Sequence, residues 1–170
     1  MGETTFLQRT AELNTGDRAA LRRAAGTMLN FADGNAYAAF YKTYPPQEYE
    51  EQAFFAECLQ CLWKPDELPA ALPLEQAGRG LEESGRKAFL KRITMLLDLK
   101  WGIDGYLAIK LFRLVKFVKT KGEVVDCNSL FQDLVQWNRT DRGVQRKWAR
   151  AVCGTQQIAD KTEEENDNAD

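Results

Sequence analysis

The 170-residue chain contains no histidine. That removes the side chain used most often for acid–base catalysis and metal ligation near neutral pH. Cysteine is scarce: Cys58, Cys61, Cys127 and Cys153 are too few for a disulfide-stapled secreted scaffold. A domain of this length needs no staples, since it buries roughly 70% of its unfolded surface. The first residues lack a charged start followed by an apolar signal segment, so the expected compartment is the cytoplasm. Long hydrophobic runs are missing as well. The most apolar window, Tyr106 to Val118, carries Lys110, Arg113 and Lys116, and cations at the centre of a bilayer would be very costly. No membrane partner is expected.

Residues that could carry chemistry do not assemble into a site. Glu50-Glu51 and Glu82-Glu83 are adjacent pairs, which point about 100° apart on a helix and read as solvated acidic faces. Cys58-x-x-Cys61 has the spacing of a zinc or redox motif, but no second pair matches it. Both cysteines sit among Phe54, Phe55, Leu59 and Leu62, where core packing is the simpler reading. Gly78-x-Gly80 lacks the third glycine and the preceding strand of a dinucleotide fingerprint. The sequence therefore predicts no catalytic residue, no metal site and no cofactor.

No window shows the sustained alternation of a β-strand, whereas helical periodicity recurs from end to end. The expected fold is all-α, a compact bundle of about nine helices in two lobes. The predicted helices are Thr5–Leu13, Asp17–Met28 with Asp17 as N-cap, Asn35–Lys42, Glu48–Trp63, Leu74–Glu83, Arg86–Leu99, Ile103–Lys121, Cys127–Trp137 and Asp141–Cys153. Pro65, Pro69 and Pro73 recur every four residues, which excludes a regular helix there and makes that stretch the expected linker or exposed loop.

Charge is unevenly distributed. Residues 1–85 carry −6, residues 86–155 carry +9, and residues 156–170 carry −5. These three segments are the expected organisation: an acidic N-terminal lobe, a basic C-terminal lobe and an acidic tail too polar to bury a core. A ligand senses charge within a Debye length of about 10 Å, so the basic segment matters more than the net charge of −2.

Within Ile103–Lys121, Leu107, Leu111, Leu114, Val115 and Val118 share one arc, and Lys110, Arg113, Lys116 and Lys119 occupy the opposite half. No acid lies between Asp104 and Glu123. An ordinary solvated face mixes both signs, whereas a face of one sign repels itself unless a counter-charged partner meets it. The last helix repeats the pattern, with Arg142, Arg146 and Arg150 at intervals of four, Lys147 beside them, and Val144, Trp148, Ala151 and Val152 opposed. Arginine suits bidentate phosphate contact. Lys87, Lys91 and Arg92 form a third cluster, on the predicted Arg86–Leu99 helix. Arg22 and Arg23 form a smaller one, for which a plain surface pair is an equal reading. The tryptophans read as core anchors, so the expected binding is sequence-independent and salt-dependent.

A train of segments then resembles the small subunit of the type I-E CRISPR Cascade effector, the CasB family. It comprises Leu21-Arg22-Arg23, Ala39-Phe40-Tyr41, Gly80-Leu81-Glu82-Glu83-Ser84-Gly85 leading into Lys91-Arg92, Leu111-Phe112-Arg113-Leu114, and Trp137 followed by Arg142, Arg146, Trp148 and Ala149-Arg150. The resemblance spans roughly Asp17 to Gly154, with the proline stretch and the acidic tail as departures. It implies a non-catalytic, all-helical subunit that sits as a pair with a second copy of itself along a guide-RNA assembly. Such a subunit contacts the repeated backbone subunit and the large subunit, and helps hold the guide RNA/target DNA heteroduplex and the displaced DNA strand. Arg92, Arg113, Arg142 and Arg146 match the family's strand-contacting positions. Lys91, Lys110, Lys116 and Arg150 are added from geometry, and Lys119 and Lys147, on the same basic faces, complete the candidate nucleic-acid-binding set.

Two other functions fit parts of the pattern. A helical adaptor could dock its basic half on an acidic protein. A helix-turn-helix repressor fits less well, because no short recognition helix with Asn, Gln and Arg follows a tight turn.

Overall fold

The computed structural model describes residues 5–154; the expected acidic tail lies outside them. The helices are α1 (Phe6–Ala11), α2 (Thr15–Ala24), α3 (Gly34–Tyr41), α4 (Glu50–Gln60), α5 (Leu74–Ala77), α6 (Glu83–Leu96), α7 (Tyr106–Thr120) and α8 (Cys127–Gln136). A ninth, α9, covers residues 143–154. Among the described residues β pairing is limited to one isolated bridge, Leu72 with Val125. The all-α expectation is met.

Helix starts follow capping chemistry. Asn14, rather than Asp17, caps α2: its side-chain oxygen accepts from the Asp17 N–H at 2.8 Å, which leaves Asp17 in the first turn where its charge favours the helix dipole. Asp33 and Asp126 cap α3 and α8 in the same way. α7 begins at Tyr106, three residues later than its periodicity suggests, because Gly105 adopts φ +69°. Glycine enters that left-handed conformation at little cost. The predicted Leu74–Glu83 helix ends instead at Ala77, and α6 starts after Glu82. A Cβ on Gly78 would overlap the Phe89 ring, so the break lets α6 close onto the chain before it. Pro65–Ala70 forms a 3-10 turn. Its continuation is tied down by Leu72, whose N–H donates to Val124 O at 2.9 Å and whose carbonyl accepts from Asp126 N–H at 2.8 Å.

α4 is buried all round from Ala53 to Gln60, as an apolar helix in a core must be. It packs against α1, α2, α7 and α8. One continuous core runs from Phe6 to Trp148 and is shared by the acidic and basic regions. Aromatic rings join distant segments edge to face: Phe6 with Phe131 at 5.0 Å, Phe55 with Trp101 at 5.5 Å, and Trp137 with Trp148 at 5.0 Å. Such pairs contribute about 0.5–1.5 kcal/mol beyond area burial. Cys58 and Cys61 belong to this core, and burial pushes the Cys61 thiol up to about 12.

Three buried carboxylates, Glu57, Asp133 and Glu75, anchor the polar interior. Glu57, on α4, is wholly buried. Burial is the main cause of its pKa being pushed up to about 8, against the lowering effect of Thr10, Thr43 and Arg9. Thr43 Oγ1 has one proton and two acceptors in reach, Phe40 O at 2.6 Å and Glu57 Oε2 at 3.1 Å. With that proton on the shorter bond, a protonated Glu57 supplies the other. Asp133, on α8, accepts from Trp148 Nε1 at 2.8 Å and from Lys147 Nζ at 2.5 Å. Glu75 lies 4.0 Å from the same ammonium.

Glu57 and Asp133 should each affect stability. Folded Glu57 keeps its proton up to about pH 8, whereas an unfolded glutamate loses it near 4.3. Between those values the folded state binds more protons, so Glu57's stabilising contribution is complete below the unfolded pKa and lost as pH rises through 8. Thermal melting should show Tm falling from pH 6 to pH 9. Glu57→Gln should flatten that slope, and an equally steep slope in the variant would refute the assignment. Asp133→Ala leaves the Trp148 N–H buried without an acceptor and should cost about 2–3 kcal/mol in urea unfolding. Asp133→Asn retains an acceptor and should cost less.

Candidate nucleic-acid interface

α7 buries the stripe that its sequence period marks: Leu107, Leu111, Leu114, Val115 and Val118 are all in the core. Arg113, Lys116 and Lys119 are consequently exposed, and Lys110 is half-buried. α6 packs alongside α7, with Phe89, Ile93 and Leu96 turned inward and Lys91 and Arg92 turned out. Among the described residues, no carboxylate lies within 4.0 Å of Lys91, Arg92, Lys110, Arg113, Lys116 or Lys119.

Three of these cations rest on aromatic rings in place of carboxylates. The Arg92 guanidinium lies 4.3 Å from the centroid of Phe117. Lys110 lies 5.4 Å from that of Tyr106, and Lys116 lies 5.4 Å from that of Phe112. Ring faces hold a cation in place without neutralising it, so the full charge stays available to an incoming anion.

Packing of α6 on α7 also creates a cleft of about 410 Å³. Met95, Leu96, Leu99, Tyr106 and Leu114 line it together with Arg92, Lys110 and Arg113. The three cations, brought from two helices, share one opening. Arg22 and Arg23 occupy the exposed last turn of α2. The turn that follows them meets α7, since a Cβ on Gly26 would lie 2.7 Å from the Phe112 ring.

The final arginine stripe differs from its sequence pattern. α9 starts at residue 143, so Arg142 precedes the helix, with φ +53°. Its guanidinium donates to Leu97 O at the end of α6 and lies 3.9 Å from Asp98. Arg142 thus helps to lock the turn between α8 and α9 onto α6. The same end of α6 is held by Trp137 Nε1, which donates to Leu99 O at 2.8 Å, and by Asn138, whose side chain bonds both the N–H and the carbonyl of Trp101. Arg146 and Arg150 are exposed on α9, and among the described residues no carboxylate lies within 4.0 Å of either. Lys147 is drawn the other way. Its ammonium closes on the buried Asp133 and Glu75 while the side chain stays exposed, so its charge is compensated and counts for less in the outward stripe. That pairing joins segments more than ten residues apart; the sequence hint was an acid, Asp133, on the apolar side of α8. The helical period puts Tyr106 on the basic half of α7, where it is 51% accessible, whereas Met95, 58% accessible on α6, carried no such signal.

Helical architecture and an uncompensated basic face can be set beside known proteins. No curated protein matches the chain. Among solved structures it is similar to CasB from Thermus thermophilus, at 26% identity over 88% of this chain and 94% of that one, with a TM-score of 0.62. It also resembles a chain of a CRISPR RNA-guided surveillance complex, at 20% identity over 93% and 95% of the two chains and a TM-score of 0.67. M. ruber CasB superposes with a TM-score of 0.67 at 18% identity, over 94% of this chain and 99% of that one. The last two are fold likenesses. The family model for CRISPR-associated protein Cse2 matches residues 17–151, which include every helix from α3 to α8 and all of the cations of this interface, and the chain belongs to that family.

Proposed function

We propose that this chain is a non-catalytic small subunit of a CRISPR RNA-guided surveillance complex of the Cascade type, working in the cytoplasm. In this role it holds the guide/target heteroduplex and the displaced strand by sequence-independent contacts to phosphates. The observation that carries the reading is the outward face of α6 and α7, where Lys91, Arg92, Lys110, Arg113, Lys116 and Lys119 have no acidic partner among the described residues. Family membership supplies the assembly, and the fold likeness to a chain of a surveillance complex supports it.

The mechanism is electrostatic. R-loop opening exchanges a DNA duplex for a heteroduplex of similar stability, so a few phosphate contacts can tip the balance. Guide pairing supplies sequence specificity, and the subunit supplies charge at fixed positions along the strands. Arginine forks at Arg92, Arg113, Arg146 and Arg150 suit bidentate phosphate contact, while the lysines act as point charges. Arg22 and Arg23 extend the surface from the N-terminal side. The acidic segment of residues 1–85 is left for neighbouring subunits, which are the repeated backbone subunit, the large subunit and a second copy of this chain.

Replacing Arg113, Lys116 and Lys119 together with Ala should weaken binding to unrelated DNA sequences by a similar factor. The slope of log affinity against log salt should fall by about one for each phosphate no longer neutralised. Lys147→Ala, which removes a cation already held by Asp133 and Glu75, should change affinity less than Arg113→Ala does. Fluorescence anisotropy across a salt series measures both. Unchanged binding in the triple variant would overturn this surface, and nuclease-resistant capture of an acidic protein would favour the adaptor reading instead.

A further inference from the structure

Phosphate contact alone does not account for the cleft between α6 and α7. Phosphates are met by exposed cations, and Lys116, Lys119, Arg146 and Arg150 already provide those outside the cleft. The cleft instead sets an apolar floor of Met95, Leu96, Leu99 and Leu114 and the ring of Tyr106 under a rim made by Arg92, Lys110 and Arg113. Two members of its wall, Met95 and Tyr106, are exposed apolar side chains on different helices. Its volume of about 410 Å³ falls in the range of small-molecule sites, roughly 300–1,000 Å³.

An occupant must therefore combine a flat or apolar body with negative charge at its edge. A nucleobase flanked by its own phosphates has that combination. The base can stack on Tyr106 and against the polarizable thioether of Met95. The phosphates on either side then meet Arg92, Lys110 and Arg113. Lys110 already lies over the Tyr106 ring, so charge and stacking surface are adjacent before any ligand arrives. An apolar peptide side chain would use the floor but would gain nothing from three cations that lack a carboxylate partner.

We infer that the cleft between α6 and α7 is a base-binding pocket that takes one unpaired nucleotide of a single strand, with the base on Tyr106 and Met95 and its phosphates on Arg92, Lys110 and Arg113. This rests on the phosphate-binding reading and adds to it a contact with a base. Every base offers a stacking face, so the pocket is tolerant of sequence. It favours single strands over duplexes, because paired bases are not free to enter.

The test compares a short oligothymidine with an abasic oligonucleotide of the same length and phosphate count, bound to the full chain and followed by anisotropy. The native chain should prefer the base-bearing strand by roughly five- to tenfold. Met95→Ala should erase that preference while leaving affinity for the abasic strand and the salt slope unchanged. Tyr106→Ala, which also removes the ring beside Lys110, should erase the preference and weaken the abasic strand by no more than the loss of that one cation. Equal binding of both strands by the native chain would overturn the pocket and leave the phosphate reading standing. Failure to bind either strand would overturn both. A preference that survives both variants, or variants that weaken both strands equally, would also overturn it. So would variants that leave both strands unaffected but loosen the hold of the chain on a protein neighbour.

Discussion

Burial of α4 on every side determines how the helices around it are oriented. Ala53, Phe54, Phe55, Ala56, Cys58 and Leu59 point in all directions around its axis, and α1, α2, α7 and α8 each turn an apolar face toward them. For α7 that face is the Leu107, Leu111, Leu114, Val115 and Val118 stripe. Once the stripe is inward, Arg113, Lys116 and Lys119 are outward, and a segment without an acid between Asp104 and Glu123 cannot neutralise them locally. The basic face is thus a consequence of core packing acting on an unusual sequence.

Repulsion on such a face is a cost that most solvated helices avoid by mixing signs. Here it is softened by Tyr106, Phe112 and Phe117, whose rings lie near Lys110, Lys116 and Arg92. Aromatic faces lower the energy of a nearby cation and leave its charge in place. Lys147, in the C-terminal region, is treated in the opposite way, neutralised by Asp133 and Glu75 beside Trp148. The contrast between a cation compensated by buried carboxylates and a face of uncompensated ones is what makes a phosphate-bearing partner the simplest explanation for the surface.

Much of this was legible in the sequence because it depends on local period. The inward stripe of α7, the buried Trp148, the core cysteines and the breaks near the prolines all follow from spacing along one segment. What stayed hidden depends on segments meeting. Arg142 reads as the first member of an arginine stripe, yet α9 begins one residue later and its guanidinium is held by Leu97 O. Lys147 reads as part of the same stripe until Asp133 and Glu75 are brought to it. Gly78 reads as half of a weak glycine motif, but its role is to admit the Phe89 ring. The cleft could not be read at all, since its walls come from two helices whose packing no periodicity states.

The central claim, that the α6 and α7 face is where nucleic acid lies, is tested most directly by photo-cross-linking. A single strand carrying 4-thiothymidine would be bound to the chain, irradiated, digested and mapped by mass spectrometry. Cross-links should concentrate in peptides that contain Arg92, Met95 and the Tyr106 to Lys119 segment, and high salt should reduce them. Cross-links confined to the acidic N-terminal helices, with none on α6 or α7, would contradict the claim.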